Sequence, residues 1–319
     1  MTEEQVVFIK QKMISVLDNA QMELLSKTLE MCLVNITSDD DRDYANDFIA
    51  AKRIEGRSER TLEYYKSVIE KMVSTIGKNV KYITTDDLRK FLSNYQEQKG
   101  SSKVTIDNMR RIMSSFFGWL EDEELIIKSP VRRIHKVKSC KVIKETYTDE
   151  ELEKMRDSCK EIRDAALIDL LASTGMRVGE LVQLNIEDIN FEERECLVLG
   201  KGDKERIVYF DARSKLHLKQ YIESRNDDNA ALFVSLNAPY KRLRIGGVEN
   251  RLRKIGKELE IDNVHPHRFR RTLATVAIDK GMPIEQLQQL LGHQRIDTTL
   301  QYAMVKQSNV KIAHRKYIG

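Results

Sequence analysis

Six side chains stand where packing alone would not ask for them. Arg177 sits in T-G-M-R-V-G-E, Lys201 in G-K-G-D-K-E-R, His267 and Arg270 in H-P-H-R-F-R-R, and His293 and Tyr302 in L-G-H-Q-R-I-D-T-T-L-Q-Y. This set suits attack on a phosphodiester, whose transition state spreads negative charge over non-bridging oxygens and rewards planar, always-cationic arginines. Positioning and charge stabilisation supply most of the catalysis in such reactions. His267 and Arg270, three apart on one expected helix, project from the same face. A lysine at a hairpin tip can protonate a leaving oxygen, and a tyrosine can be a covalent nucleophile once its proton is drawn off. The same set lacks the carboxylate pair of a glycosidase. The short-spaced His265 and His267 are followed by Arg268, Arg270 and Arg271, which would repel a divalent cation, so no metal is expected. The sequence has no G-x-x-x-x-G-K-[ST], G-x-G-x-x-G or G-x-S-x-G motif, which removes the usual supports of nucleotide hydrolysis, hydride transfer and α/β-hydrolase chemistry.

The elements that must carry these residues are mostly helices. Met22, Leu25, Leu29 and Cys32 recur at helical spacing in an N-terminal extension, 1–40. Helical periodicity follows from about Tyr44 to Glu55 and from Ser58, an N-cap residue, to Ile76. Thr84 with Asp87 forms a capping box for a helix ending near Gly100, and Ser102 opens another through Phe116, Phe117 and Trp119, so that 41–127 reads as a compact four-helix domain. A second capping box, Thr148 with Glu151, opens the next domain, and helical text from Asp164 to Thr174 stops at Gly175. The pattern then alternates through Cys196 and Val198, turns at Gly200–Asp203 and resumes at Ile207 and Tyr209, which predicts a β-hairpin. Helices return, one with Pro283 in its first turn and Gly292 at its end.

The 319 residues allow two domains, each long enough to bury a core, and no apolar run approaches a membrane span. The net charge of +4 conceals an uneven distribution. Residues 1–40 carry 3 basic and 7 acidic side chains, 41–127 carry 15 of each, and 128–319 carry 36 basic against 28 acidic. Two runs suit a polyanion: 128–144, a Pro-containing linker with no acid, and 240–257. Candidate phosphate contacts are therefore Lys128, Arg132, Arg133, Lys136, Lys138, Lys141, Lys241, Arg242 and Arg244, with Arg268 and Arg271 added from the H-P-H-R-F-R-R segment. Cys32, Cys140, Cys159 and Cys196 show no paired spacing and read as reduced thiols, and the absence of a leader pattern predicts a cytoplasmic protein.

In this order and spacing the motifs resemble those of the tyrosine recombinases, the phage integrase and Xer family, over nearly all of residues 41–319. T-G-M-R-V-G-E-L resembles the family's first-arginine motif, G-K-G-D-K-E-R its hairpin-lysine motif, H-R-F-R-R-T its H-x-x-R motif, and L-G-H with Tyr302 nine residues later its closing motif. S-E-R-T-L-E-Y-Y and S-S-F-F-G-W-L before S-P-V-R-R-I are similar to its core-binding domain.

The resemblance implies a mainly α fold with a small β-hairpin sheet: a two-domain, C-shaped DNA clamp with a SAM-like core-binding domain (41–127), a basic linker (128–144) and a mixed α+β catalytic domain (145–319). Tyr302 would form a 3′-phosphotyrosine and release a 5′-hydroxyl, Arg177 and Arg270 would clamp the phosphate, and Lys201 would be the general acid. His267 and His293 would assist proton transfer, and Glu180 would buttress Arg177. Arg271 stands where many Xer proteins have His. No cofactor is implied, neither metal nor ATP. The implied partners are duplex DNA with recombination sites, a directionality or accessory factor, and four protomers on two sites, joined through exchange of 305–319. The activity would be that of a mobile-element integrase, excisionase or invertase, on the nucleoid. A phosphotyrosine topoisomerase, active as a monomer on any sequence, and a non-catalytic DNA-binding scaffold are the competing readings.

Overall fold

Phe48, Phe116 and Phe117 are completely buried and organise the first of the two units into which the chain divides, at 141/142. The computed structural model describes residues 3–34, 42–138, 145–200 and 205–302. In the first unit α1 (Glu3–Met13) and α2 (Asn19–Val34) pack on each other through Val6 and Leu29, with a Lys10–Glu30 ion pair across them. Met22 and Leu25 are half-buried beside Leu29, while the side chain of Cys32 lies outside the described residues, as does Cys140.

Four helices form the body of this unit: α3 (Tyr44–Ile54), α4 (Glu59–Ile76), α5 (Thr85–Lys99) and α6 (Lys103–Asp122). Their starts satisfy the orphan N–H groups of a helix end, through Asp43 on Asn46, the reciprocal Thr84–Asp87 box and Ser102 on Thr105. Ser58 occupies the N-cap of α4 but bonds Thr61 Oγ1 instead of a backbone N–H. The amphipathic faces meet over Phe48, which lies edge-on to Phe116 at 5.4 Å between ring centroids and beside Trp119 at 5.7 Å.

The basic run expected as a linker is packed over its first half. A 3-10 turn at Pro130–Arg133 buries Val131, Thr85 Oγ1 donates to Pro130 O at 2.7 Å, and Val137 N donates to the buried carboxylate of Asp107 at 3.1 Å. Residues 128–138 are thus part of the helical unit, because Val131, Ile134 and Val137 give this basic stretch its own apolar contacts with the core.

In the second unit α7 (Asp149–Asp157), opened by the Thr148–Glu151 box, precedes α8 (Ile162–Thr174), the central helix. Residues 163–171 of α8 are buried on every side, since α10, α12 and the sheet all pack on it. Then come α9 (Val178–Gln183), β1 (Ile189–Asn190), β2 (Glu195–Leu199) and β3 (Glu205–Tyr209), an antiparallel sheet in chain order with Cys196 opposite Val208 and Val198 opposite Arg206. Cys196, Val198 and Val208 face the core while Leu197, Leu199, Ile207 and Tyr209 face out. The chain closes with α10 (Ala212–Glu223), α11 (Ile245–Glu258), α12 (Pro266–Asp279), α13 (Ile284–Leu291) and α14 (Ile296–Leu300). The fold is mainly α with one small sheet, and no helix among the described residues is long and apolar enough to cross a membrane.

Candidate active site

The last carbonyls of a helix lack intrahelical partners and carry the negative end of its dipole. At the end of α13 three successive carbonyls are each taken by a different arginine. Arg206 Nε donates to Leu290 O at 3.1 Å, Arg270 Nη2 to Leu291 O, and Arg177 Nη2 to Gly292 O at 3.2 Å. These arginines come from β3, α12 and the start of α9, so one helix end gathers residues that are distant in the chain.

Each arrives for a local reason. Arg177 is the N-cap residue of α9, placed by the tight end of α8 at Gly175, whose φ of +60° suits glycine and whose position leaves a Cβ only 2.6 Å from Leu273. Glu180, one turn on, is buried and accepts from Arg177 N at 2.7 Å and Arg177 Nη1 at 2.9 Å. Arg270 lies on the buried face of α12 and is only 2% exposed. Its Nη1 donates to Gly175 O at 2.8 Å, so the closing carbonyls of α8 and α13 hold it from two sides. Burial, then the charge of Arg177, pushes its guanidinium down to about 10, still protonated near neutrality.

Gly292 ends α13 with φ +62°, and the chain turns so that His293 faces the arginines. Its Nε2 lies 2.9 Å from Arg270 Nη2 and its Nδ1 2.8 Å from Thr299 Oγ1. A guanidinium can only donate, so Nε2 is unprotonated and the ring is the neutral Nδ1–H tautomer, donating to Thr299. Burial first, then Arg270, Arg177 and Arg206, push this imidazole down to about 4, in agreement with a neutral ring. Tyr302 follows α14, half-buried against Leu273, Leu290 and their neighbours, and stacks on His293 with ring centroids 5.9 Å apart. His267 is exposed at the start of α12, one turn before Arg270, with its ring parallel to that of His265 at 6.5 Å.

The structure thus brings Arg177, Arg270, His293, Tyr302 and Glu180 to one place, with His267 on the same helix as Arg270. Lys201 lies outside the described residues, between strands β2 and β3. Two participants were missed in the sequence. Arg206 holds both oxygens of Glu180, at 2.7 Å each. Its signal was the strand alternation, because it shares the inward face with Val208. Thr299, fully buried under His293, left no such signal. Burial pushes the Glu180 carboxyl up, but hydrogen bonds from Arg206 and from the backbone of Arg177 outweigh it and hold the group below the usual carboxylate range.

The basic candidates divide. Lys128, Arg133, Lys136 and Lys138 are exposed, Arg132 is exposed near Glu121 at 3.4 Å, and Lys141 lies outside the described residues. Lys241 and Arg244 are exposed as well. Arg242 caps the end of α9, donating to the carbonyls of Val182, Gln183 and Leu184. Arg268 and Arg271 are buried, as Arg270 is, but their described contacts lie within the fold, and Arg268 also pairs with Glu151 at 3.3 Å. Arg268 lies 4.2 Å over the ring of Tyr147 and donates to the carbonyls of Asp262 and Thr146, while Arg271 donates to Glu145 O at 2.8 Å. They fasten residues 145–147 to α12, a task that a basic sequence run does not reveal. Among the described residues no cluster of histidine, cysteine and carboxylate side chains could hold a metal ion.

Comparison with known proteins agrees with this arrangement. Residues 144–309 match the phage integrase family, and residues 45–127 match the phage integrase N-terminal SAM-like domain. The chain is 30% identical over 292 residues to tyrosine recombinase XerC of Oceanobacillus iheyensis, covering 86% of this chain and 95% of the relative. It is 28% identical over 272 residues to tyrosine recombinase XerA of Saccharolobus solfataricus, covering 82% and 87%. In fold it is similar to the XerH site-specific recombinase bound to a palindromic difH substrate, with TM-score 0.68 at 22% identity, covering 97% of this chain and 94% of that one. Fold and matches together define a DNA strand-transfer enzyme. The chain belongs to the phage integrase family: it is a site-specific tyrosine recombinase, which cleaves DNA and rejoins it.

Proposed function

We propose that Tyr302 is the nucleophile, attacking the scissile phosphorus to give a 3′-phosphotyrosine while the 5′ oxygen leaves. One phosphodiester replaces another, so the bond energy is kept and neither ATP nor a metal takes part. Lys201 donates the proton that the 5′ oxygen needs. Arg177 and Arg270 hold the non-bridging oxygens through N–H groups that the helix carbonyls leave unspent. A phosphate oxygen takes the place of His293 Nε2 at Arg270, and His293 and His267 then hold the phosphate and relay the tyrosine proton. Glu180 keeps Arg177 in line.

The observation that carries this reading is the convergence of Arg177 and Arg270 on the closing turn of α13 beside His293, with Tyr302 stacked on that imidazole. Arg270 supports it further, because its three described contacts are two carbonyls and a neutral ring, which leave its charge for a phosphate.

The substrate is duplex DNA at specific sites of a mobile element, which the enzyme integrates, excises or inverts. Both units contact one site in a clamp, four protomers assemble on two sites, and 305–319, outside the described residues, is exchanged between protomers. Lys128, Arg133, Lys136, Lys138, Lys241 and Arg244 are the phosphate contacts. A directionality or accessory factor chooses the outcome, and the protein works in the cytoplasm on the nucleoid.

The test is a trap for the covalent intermediate. Wild type and Tyr302→Phe are incubated without metal on nicked suicide duplexes taken from DNA flanking the gene. An SDS-stable adduct in wild type alone is expected. An adduct that persists in Tyr302→Phe removes the nucleophile assignment.

A further inference from the structure

Arg206 is built into the site in a way that a strand residue beside a turn does not require. Its side chain is 12% exposed, and its fork meets Glu180 oxygen for oxygen, Nη1 to Oε1 and Nη2 to Oε2, both at 2.7 Å. Its remaining Nε reaches across to Leu290 O at 3.1 Å. The approach is close enough that a Cβ on Gly292 would lie 2.9 Å from Arg206 Cδ, so this guanidinium as well as the backbone turn keeps position 292 a glycine.

We propose that Arg206 is a positioning residue for strand cleavage: it neutralises Glu180, so that Arg177 is held by one edge and keeps its charge for the scissile phosphate, and it ties strand β3 to the helix end that presents His293. This rests on the phosphate-clamp role given above to Arg177 and Arg270.

The charge balance makes the need plain. Glu180 is buried with a side-chain exposure of 4%, and a lone buried carboxylate draws a neighbouring guanidinium into a two-pronged pair. Here both prongs belong to Arg206, and the Arg177 guanidinium meets Glu180 through Nη1 alone. Three guanidiniums against one carboxylate leave two positive charges for the phosphate; without Arg206 one remains, and Arg177 is free to close on Glu180. Geometry adds a second effect. Arg206 stands opposite Val198 in the sheet, near the end of the two strands between which Lys201 lies in the sequence. Its Nε contact with Leu290 therefore sets strand β3 against the carbonyl row that orients Arg177, Arg270 and His293. A lysine could supply the charge but not two oxygens of Glu180 and Leu290 O at once.

The experiment measures single-turnover adduct formation on a nicked suicide duplex from the flanking DNA, DNA affinity by anisotropy, and thermal unfolding, for wild type, Arg206→Met, Arg206→Lys and Arg206→Met/Glu180→Gln. Arg206→Met is expected to cleave on the order of 10²-fold more slowly, with DNA affinity kept within about 2-fold. Removing the orphaned carboxylate in the double variant is expected to recover about 10-fold of that loss, a non-additivity that a merely structural role would not produce. A double variant as slow as the single one, or affinity falling in step with the rate, overturns the proposal. Arg206→Lys, which keeps the charge and so folds even where the Met variant does not, is expected to be about 10-fold slow; cleavage at the wild-type rate also overturns it. Failure of the underlying clamp is distinct, since it would appear as an Arg177→Ala or Arg270→Ala control that forms adduct at the wild-type rate.

Discussion

The two units share apolar cores and differ in the charged side chains they bury. The helical unit closes over Phe48, Phe116, Phe117, Leu88 and Met113, and its buried polar groups are Asp107 and Ser129 among the described residues. The catalytic unit has an apolar core too, yet it also buries Arg270, Arg163, Asp164, Asp169 and Glu180. Burying a guanidinium costs several kcal/mol unless its N–H groups find acceptors. The acceptors differ by task within that unit. Arg163 and Arg251 bind Asp164, and Arg156 binds Asp169, so each of these charges meets an opposite one inside the fold. Arg270 instead meets the carbonyl ends of α8 and α13, which satisfy its geometry without cancelling its charge. The helical unit is thus shaped by apolar burial, and the catalytic unit departs from that rule where it must leave positive charge unspent.

The largest break in this contrast should come from the aromatic core. Phe116→Ala is expected to remove about 3–5 kcal/mol of stability, because the fully buried ring leaves a cavity against Phe48 and Phe117. Urea unfolding of the full chain measures this, and the cleavage rate per folded molecule should change by less than about 3-fold, within the ordinary range for a distant site. The reverse separation is expected for Arg270→Ala. Loss of a transition-state donor should slow adduct formation on the order of 10²-fold or more, about 3 kcal/mol, with DNA binding largely kept. Equal losses in binding and cleavage would erase the distinction between a charge held for the reaction and one held for the fold.

The smallest effect concerns His293, whose half-buried ring is partly screened by water. With its folded pKa pushed down to about 4 from an ordinary 6.5, the unfolded chain binds the extra proton first as pH falls. The contribution is therefore fully present above pH 6.5 and is lost progressively as pH drops to about 4, where protonated Nε2 turns its N–H against Arg270. Thermal unfolding between pH 7 and pH 4 should show a slope that His293→Gln reduces. An unchanged slope would detach the imidazole from the arginine cluster.

Much of the fold was legible in residue types alone. The Thr84–Asp87 and Thr148–Glu151 boxes start helices where they stand, and Gly100, Gly175 and Gly292 end helices with positive φ, since caps and left-handed glycines are local signals. The β2–β3 alternation was equally local. The packing of 128–138 was not legible because charge dominates the stretch, while Val131 and Val137 dock on helices that only the folded chain brings near; the division at 141/142 falls within the run 128–144. The contacts of Arg268 and Arg271 were illegible for a related reason: their acceptors, at 145, 146 and 262, include carbonyls more than a hundred residues away.

The sequence alone determined which helices form, where they stop, and which residues could serve a phosphodiester, because these follow from local caps, periodicity and side-chain chemistry. Tertiary structure alone decided how the arginines divide their work. Arg270 ends against two helix termini, Arg206 on a carboxylate and a carbonyl, and Arg268 on Thr146, Asp262 and the face of Tyr147. All three look alike in a string of letters. A guanidinium keeps its charge in every setting, so its role is set by the acceptors around it, and those acceptors are assembled only by packing.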